Sequence, residues 1–236
     1  MKINPNYNIL AASTSTIFGS GYLEYILDEA VRFLNTDEII FIPYARPSGM
    51  SWEEYTESPA KAFAGKGVSV KGLHEFDRPK EALRKSQAIF TGGGNTFLLL
   101  KTLYEFDLMD ELKSVIAGGT PYMGTSAGSN ICGPDIGTTN DMPIVYPPSF
   151  GALNFLPFNI NPHYLDPDPL SKHKGETRET RIYEFHQFNS QMVLGLREGS
   201  WIEARQGVVE LKGRLTARLF KPGVQAVEIA PGVLDF

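Results

Sequence analysis

A doubly wound α/β fold with a mostly parallel sheet is predicted by three features of the chain. Strand-like and helix-like segments alternate from Asn8 onward, the connections between them are short, and two of the strands run directly into glycine-rich turns. In such sheets ligands sit beyond the carboxyl ends of the strands, so the two glycine turns mark where a site is expected.

The elements follow in order. Asn8 to Ala12 is a short apolar run read as a strand. Leu23 to Leu34 carries apolar residues at helical spacing, at Leu23, Ile26, Leu27, Ala30, Val31 and Leu34. Glu38 to Pro43 contains the unbroken run Ile39-Ile40-Phe41-Ile42, expected of a strand buried on both faces. Ser51 and Glu54 form a capping-box pair that opens a helix, and Gly65 closes it. Val68 to Val70 is a strand and Pro79 to Ser86 a short helix. Ala88 to Thr91 is a strand leading into Gly92-Gly93-Gly94. Helices are expected at Thr96 to Glu105 and Leu108 to Ala117, the second stopped by Gly118-Gly119. Pro121 to Met123 is a strand leading into Gly124-Thr125-Ser126-Ala127-Gly128. From Gly133 to Pro169 the chain is rich in Pro, Asn and Asp, the texture of a long functional loop. Four β-like runs close the chain, Ser200 to Ala204, Gly207 to Leu211, Leu215 to Phe220 and Val224 to Ile229, read as C-terminal hairpins or edge strands. With no repeat and no linker, residues 1–236 are read as one domain.

Composition narrows the function. The 236 residues are 42% hydrophobic and 21% charged, values of a globular chain with enough length for a substantial core. A net charge of −5 with no basic stripe argues against a nucleic-acid partner. The N-terminus has no signal region, and no apolar run approaches the roughly 20 residues of a membrane span. The single cysteine, Cys132, cannot close an internal disulfide. These features predict a soluble cytoplasmic protein. A homodimer is among the assemblies such a chain allows.

Gly124-Thr125-Ser126-Ala127-Gly128 matches G-x-S-x-G, the elbow that presents a nucleophilic serine on a sharp strand-to-helix turn. The pattern is short and also fits a turn that only packs, but its setting between a strand and a helix-compatible stretch favours the nucleophile. The N–H of Ala127 is then an oxyanion donor, and the N–H of Gly94 in the other turn a second one. Read alone, Gly92-Gly93-Gly94 is better taken as a flexible strand-to-helix turn. It is not a dinucleotide fingerprint, because residue 97 is Phe, and it has no Gly-Lys-Ser/Thr ending.

A nucleophilic serine needs a base. Of the four histidines, His163 in Ile160-Asn161-Pro162-His163 follows a strand-like end and ranks first. His74 ranks second, while His173 in a charged stretch and His186 beside Phe185 read as surface or core residues. For the acid that orients the base, Asp141 reproduces the chain order Ser…Asp…His, and Glu198 is its rival. Asp141 also reads as an Asx turn and Glu198 as a turn carboxylate, so the two remain close. Arg178 and Arg181 share a helical face and suit a carboxylate, although from spacing alone a solvated face with intrahelical ion pairs is the favoured reading. No His or Cys spacing resembles a metal site.

Several longer stretches carry a resemblance. Gly-Gly-Gly-Asn-Thr-Phe at 92–97, Gly-Thr-Ser-Ala-Gly-Ser-Asn at 124–130, Thr-Thr-Asn-Asp-Met-Pro-Ile-Val at 138–145, Ile-Asn-Pro-His at 160–163 and His-Lys-Gly-Glu-Thr-Arg-Glu at 173–179 resemble the peptidase E family of α-aspartyl dipeptidases. So do Trp52 to Thr56 and Glu198 to Trp201, so the resemblance spans nearly the whole chain. It implies a cytoplasmic serine hydrolase of dipeptides with N-terminal aspartate. The fold implied is similar to class I glutamine amidotransferases, with no cofactor. By the same resemblance the catalytic residues are Ser126, His163 and Asp141, and the oxyanion donors Gly94 and Ala127. Arg178 and Glu198 are expected at the substrate, and Glu198 also matches a family glutamate favoured as the third triad member. The rivals are a cyanophycinase-like β-aspartyl peptidase on the same fold and a non-catalytic ligand-binding module built on the Gly92–Asn95 loop.

Overall fold

The structure, a computed structural model, describes residues 3–47, 49–168, 170, 172 and 174–236. Five strands form the parallel part of its larger sheet: β1 (Asn8–Ala12), β2 (Glu38–Ile42), β3 (Ser69–Gly72), β4 (Ile89–Thr91) and β5 (Tyr122–Thr125). They lie in the order β1-β5-β4-β2-β3, all paired parallel. Three antiparallel strands extend the sheet beyond β1, namely β8 (Ser200–Arg205), β9 (Val208–Gly213) and β12 (Gly232–Val233). A second sheet holds β6 (Asn159–Pro162), β7 (Val193–Leu196), β10 (Ala217–Phe220) and β11 (Val227–Ile229), in the order β11-β10-β7-β6.

Alternation along β1 shows how the layers form. Leu10 and Ala12 face one core with Phe41, Phe90 and Met123, covered by helices α1 (Leu27–Leu34) and α2 (Trp52–Ala64). Ile9 and Ala11 face the other core with Ile40, Ile42 and Ile89. Helices α3 (Pro79–Lys85), α4 (Thr96–Glu105), α5 (Met109–Ala117) and α6 (Ala127–Asn130) lie over that face, and residues of the second sheet, Ile160, Leu194 and Leu219, join the same cluster. Strands buried on both faces explain the continuous apolar runs. The predicted doubly wound α/β class is the observed one.

Local signals set most boundaries. Ser51 accepts the Glu54 N–H while the Glu54 carboxylate accepts the Ser51 N–H, so the capping box opens α2. Asn95 caps α4 through the Leu98 N–H. The largest shift from an expected boundary is at the first helix. The first helix starts at Leu27, not Leu23, because Leu23 adopts φ 57° and donates its N–H to Ser15 O, which places Leu23 and Ile26 in the core from a turn. The last two C-terminal runs, predicted as hairpins or edge strands, become part of the separate second sheet. Its β7 also pairs parallel with β6, which carries His163 at its end. Among the described residues, no helix is long and apolar enough to cross a membrane.

Candidate active site

The turn after β5 is tightly packed. Gly124 and Gly128 cross so closely that a Cβ on Gly124 would lie 2.4 Å from Gly128 O, and one on Gly128 would lie 2.2 Å from Thr91 O. Between them Ser126 takes φ 52° and ψ −108°, a backbone region that costs free energy outside glycine. Its N–H donates to Ala12 O, and Ser129 Oγ donates to Ala12 O and Gly124 O, holding the turn against β1. The serine is therefore fixed at the carboxyl end of the sheet with its side chain partly accessible. The one cysteine, Cys132, is buried, and burial pushes its thiol far up, so it is no nucleophile.

Gly92 to Gly94 lies beside this turn because β4 pairs with β5, Thr91 opposite Gly124. Gly94 has φ 141°, and a Cβ there would stand 2.2 Å from Ala45 O, so no other residue fits without moving the chain. Gly93 packs on the nucleophile, a Cβ at that position being 3.0 Å from Ser126 Cβ. Tyr55 Oη donates to Gly93 O at 3.0 Å and fixes the peptide plane. Among the described residues, the N–H groups of Gly93, Gly94 and Ala127 have no protein acceptor. They are available to a developing oxyanion.

The candidate base comes from the second sheet. His163 follows β6 with φ 53°, and its N–H donates to Ser13 Oγ, which donates onward to Leu196 O. Its Nε2 lies 2.9 Å from Ser126 Oγ and its Nδ1 lies 2.6 Å from Glu198 Oε1. Parallel pairing of Pro162 with Leu196 brings the segments together, since His163 and Glu198 each lie just beyond their strand ends.

Asp141 stands elsewhere. Its Oδ2 accepts the Thr96 N–H at 2.7 Å, at the start of α4, and lies 3.2 Å from Thr139 Oγ1. The expected Asp141–His163 contact is absent, because Glu198 occupies the Nδ1 side and Asp141 anchors the 138–142 strap, together with the Asn95 Nδ2 bond to Met142 O. The same strap reaches the base from the other side, Asn140 Nδ2 donating to Pro162 O at 2.7 Å. Glu198, placed at the substrate by the sequence reading, therefore holds the histidine.

Arg178 opens α7 (Arg178–Phe185), capped by Thr177. Its guanidinium donates to His163 O and, at 3.3 Å, to Pro162 O. Desolvation lowers its pKa despite the nearby Glu198. With Thr138, Thr139, Asn140 and Arg181 it also lines a small cavity of about 50 Å³. Two of the remaining histidines have partners other than Ser126. His74 is buried against Trp52 and lies 3.5 Å from Glu53, and His186 Nε2 meets Gln191 O. His173 is outside the described residues.

Sequence reasoning passed over one contributor, Arg197. It forms bidentate bonds to Asp166 and bonds Glu228 and Thr216, and its guanidinium lies 5.6 Å from the Tyr164 ring centroid. Tyr164 and Asp166 follow His163 in the chain, and Arg197 precedes Glu198, so one side chain ties together the segments of both. The adjacency of Arg197 to Glu198 was the available signal, but its partners are distant in sequence.

Comparisons with known proteins identify the family. Residues 9–212 match the description of Peptidase family S51. A protein named "Peptidase E" from Streptomyces coelicolor is 48% identical over 226 residues, covering 95% of this chain and 92% of its own. A Drosophila melanogaster protein named "Probable alpha-aspartyl dipeptidase" is 45% identical over 228 residues, covering 95% of this chain and 94% of its own. The crystal structure of a peptidase from an acI-B1 Actinobacterium superposes with a TM-score of 0.75 at 16% identity, over 100% of this chain and 98% of that one, a likeness of fold alone. With the family match spanning most of the sheet and both glycine turns, the chain belongs to peptidase family S51.

Proposed function

We propose that this peptidase hydrolyses dipeptides with N-terminal aspartate by acyl transfer to Ser126. The observation that carries the mechanism is the position of His163, with one ring nitrogen on Ser126 Oγ and the other on Glu198. In that arrangement Glu198 accepts the Nδ1–H, fixing the tautomer whose Nε2 takes the serine proton. Ser126 Oγ then attacks the aspartyl carbonyl. The N–H groups of Gly94 and Ala127 hold the oxyanion, aided by a turn that glycine alone allows at residue 94. His163 passes its proton to the leaving nitrogen, the C–N bond breaks, and water brought in by His163 resolves the acyl-enzyme. The acid role expected of Asp141 is assigned here to Glu198, and Asp141 to holding the strap.

Aspartate specificity requires a partner for a desolvated carboxylate. Arg178 is retained in that role. It lines the small cavity under the strap while its bonds to the carbonyls of residues 162 and 163 tie that cavity to the base. The aspartyl specificity also has the support of the name of the Drosophila melanogaster relative, "Probable alpha-aspartyl dipeptidase". A cytoplasmic location is favoured by the single, buried and unpaired cysteine.

The decisive assay is a dipeptide panel varying the first residue, run with native enzyme and with Ser126→Ala. The expected result is turnover of α-linked Asp-Xaa, weak turnover of Asn-Xaa, and loss of both in the variant. Preferred cleavage of β-linked aspartyl peptides would move the assignment to the cyanophycinase-like rival. Comparable kcat/KM for Asp-Leu and Asn-Leu would refute selection by charge.

A further inference from the structure

A cavity of about 480 Å³ adjoins the far side of Glu198, lined by Ile17, Tyr25, Glu198, Trp201, Arg214 and Leu215. Its volume is that of a small-molecule site, and no step of the mechanism above uses it. Its aromatic walls are fixed. Tyr25 Oη donates to Thr14 O at 2.7 Å, Trp201 Nε1 donates to Glu203 Oε1 at 3.0 Å, and the two rings meet edge to face at 6.5 Å. At Gly213 (φ 99°) an added Cβ would lie 2.5 Å from Gly199 O and 3.3 Å from Trp201 Cζ3, so the turn packs closely beneath the indole. Leu215 and Arg214 are exposed, and among the described residues Arg214 has no ion pair.

The strand order says which part of a substrate would reach this cavity. Along the carboxyl edge, Gly92–Gly94 stands on the β4 side of Ser126, whereas His163 and Glu198 stand on the side of β1 and β8. In acyl transfer the protonated base hands its proton to the leaving nitrogen, so the leaving residue lies on the base's side. The cavity lies on that side, in contact with Glu198.

From this we infer that the cavity receives the residue released as the leaving amine, that it selects a large apolar or aromatic side chain, and that Arg214 meets that residue's free carboxylate. The inference rests on the acyl-transfer reading above. The apolar and aromatic side chains of Ile17, Tyr25, Trp201 and Leu215 favour burial of a leucine or phenylalanine side chain, and the Glu198 carboxylate disfavours an acidic one.

With the first residue held constant, kcat/KM for Asp-Leu and Asp-Phe should exceed that for Asp-Gly by about ten- to a hundredfold, the scale of burying one such side chain. Leu215→Ser, at an exposed turn position, should shrink that ratio several-fold by lowering kcat/KM for Asp-Leu and Asp-Phe more than for Asp-Gly. Arg214→Met should abolish any preference for Asp-Leu over its C-terminal amide. Equal turnover of the three leaving residues, or variants that lower all substrates alike, would overturn the assignment. If the panel shows a first residue other than aspartate, the Leu-to-Gly ratio is read on that residue. A preserved ratio supports the cavity while the aspartyl reading fails. If no peptide is cleaved, calorimetry on the Ser126→Ala enzyme decides: tighter binding of Asp-Leu than Asp-Gly supports the cavity, and equal or absent binding rejects it.

Discussion

The two halves of the site are built by different means. Ser126 and the proposed oxyanion donors follow adjacent parallel strands, β4 and β5, at turns where a Cβ added at Gly94, Gly124 or Gly128 would stand 2.2–2.4 Å from a backbone oxygen. The proposed base and acid, His163 and Glu198, follow strands of the second sheet and depend on the pairing of β6 with β7 and on the charge cluster around Arg197. The first half is local and rigid. The second is assembled from distant segments, so its failures should spread from residues that never touch substrate.

The largest effect belongs to the rigid half. Ser126→Ala should fold normally and reduce kcat on the order of 10⁶-fold, the scale for losing a hydrolase nucleophile. Residual turnover within tenfold of native would reject the serine mechanism. Next comes the contrast between the two acids. Glu198→Gln should cost about 10⁴-fold in kcat, because the tautomer is then no longer enforced. Asp141→Asn keeps the shape of a strap anchor and should cost less than about 100-fold, through looser strap geometry rather than through the base. The opposite ranking, measured in steady-state kinetics, would return the acid role to Asp141.

Arg197 probes how far the assembled half depends on its supports. Arg197→Met should lower kcat about tenfold with KM nearly unchanged, since misplacing a catalytic pair by a fraction of an ångström weakens catalysis more than binding. In a Glu198→Gln background the same substitution should have almost no further effect, because the pair it aligns is already disabled. Losses that multiply would mean that Arg197 only stabilises the fold.

The smallest effect is on acid stability. Hydrogen bonding from Arg197, ahead of Thr216 and Arg218, holds the Glu228 carboxyl down at about 2, against an ordinary value of 4.5. A depressed carboxyl stabilises the native state above its unfolded pKa, and the contribution fades as pH falls from about 4.5 towards about 2. Thermal denaturation of Glu228→Gln should therefore show a slightly lower Tm at neutral pH and a shallower fall across that window. An identical pH dependence in the two proteins would show that the cluster carries no measurable linkage.

How much was legible in the sequence divides along the same line. The parallel sheet, the Ser51 capping box, the Gly92–Gly94 turn and the Ser126 elbow rest on residues within one or two turns of each other, whose steric demands are written in their order. The start of the first helix was misplaced because apolar spacing at Leu23 and Ile26 satisfies a helix and a buried turn equally well. Chain order singled out Asp141 for the acid beside His163, with Glu198 as a close rival, and only pairing across the second sheet separates them. Asp141 and Glu198 carry the same chemistry. What decides between them is that Pro162 lies opposite Leu196, a contact between segments far apart in the chain that the residue types on either strand do not announce. The sequence by itself determined the fold class and singled out Ser126 and His163 as candidates, since each follows from local geometry or from a motif. The tertiary structure put Glu198 rather than Asp141 against His163 and brought in Arg197 and the cavity at Glu198, because these depend on which distant strands meet and in what register.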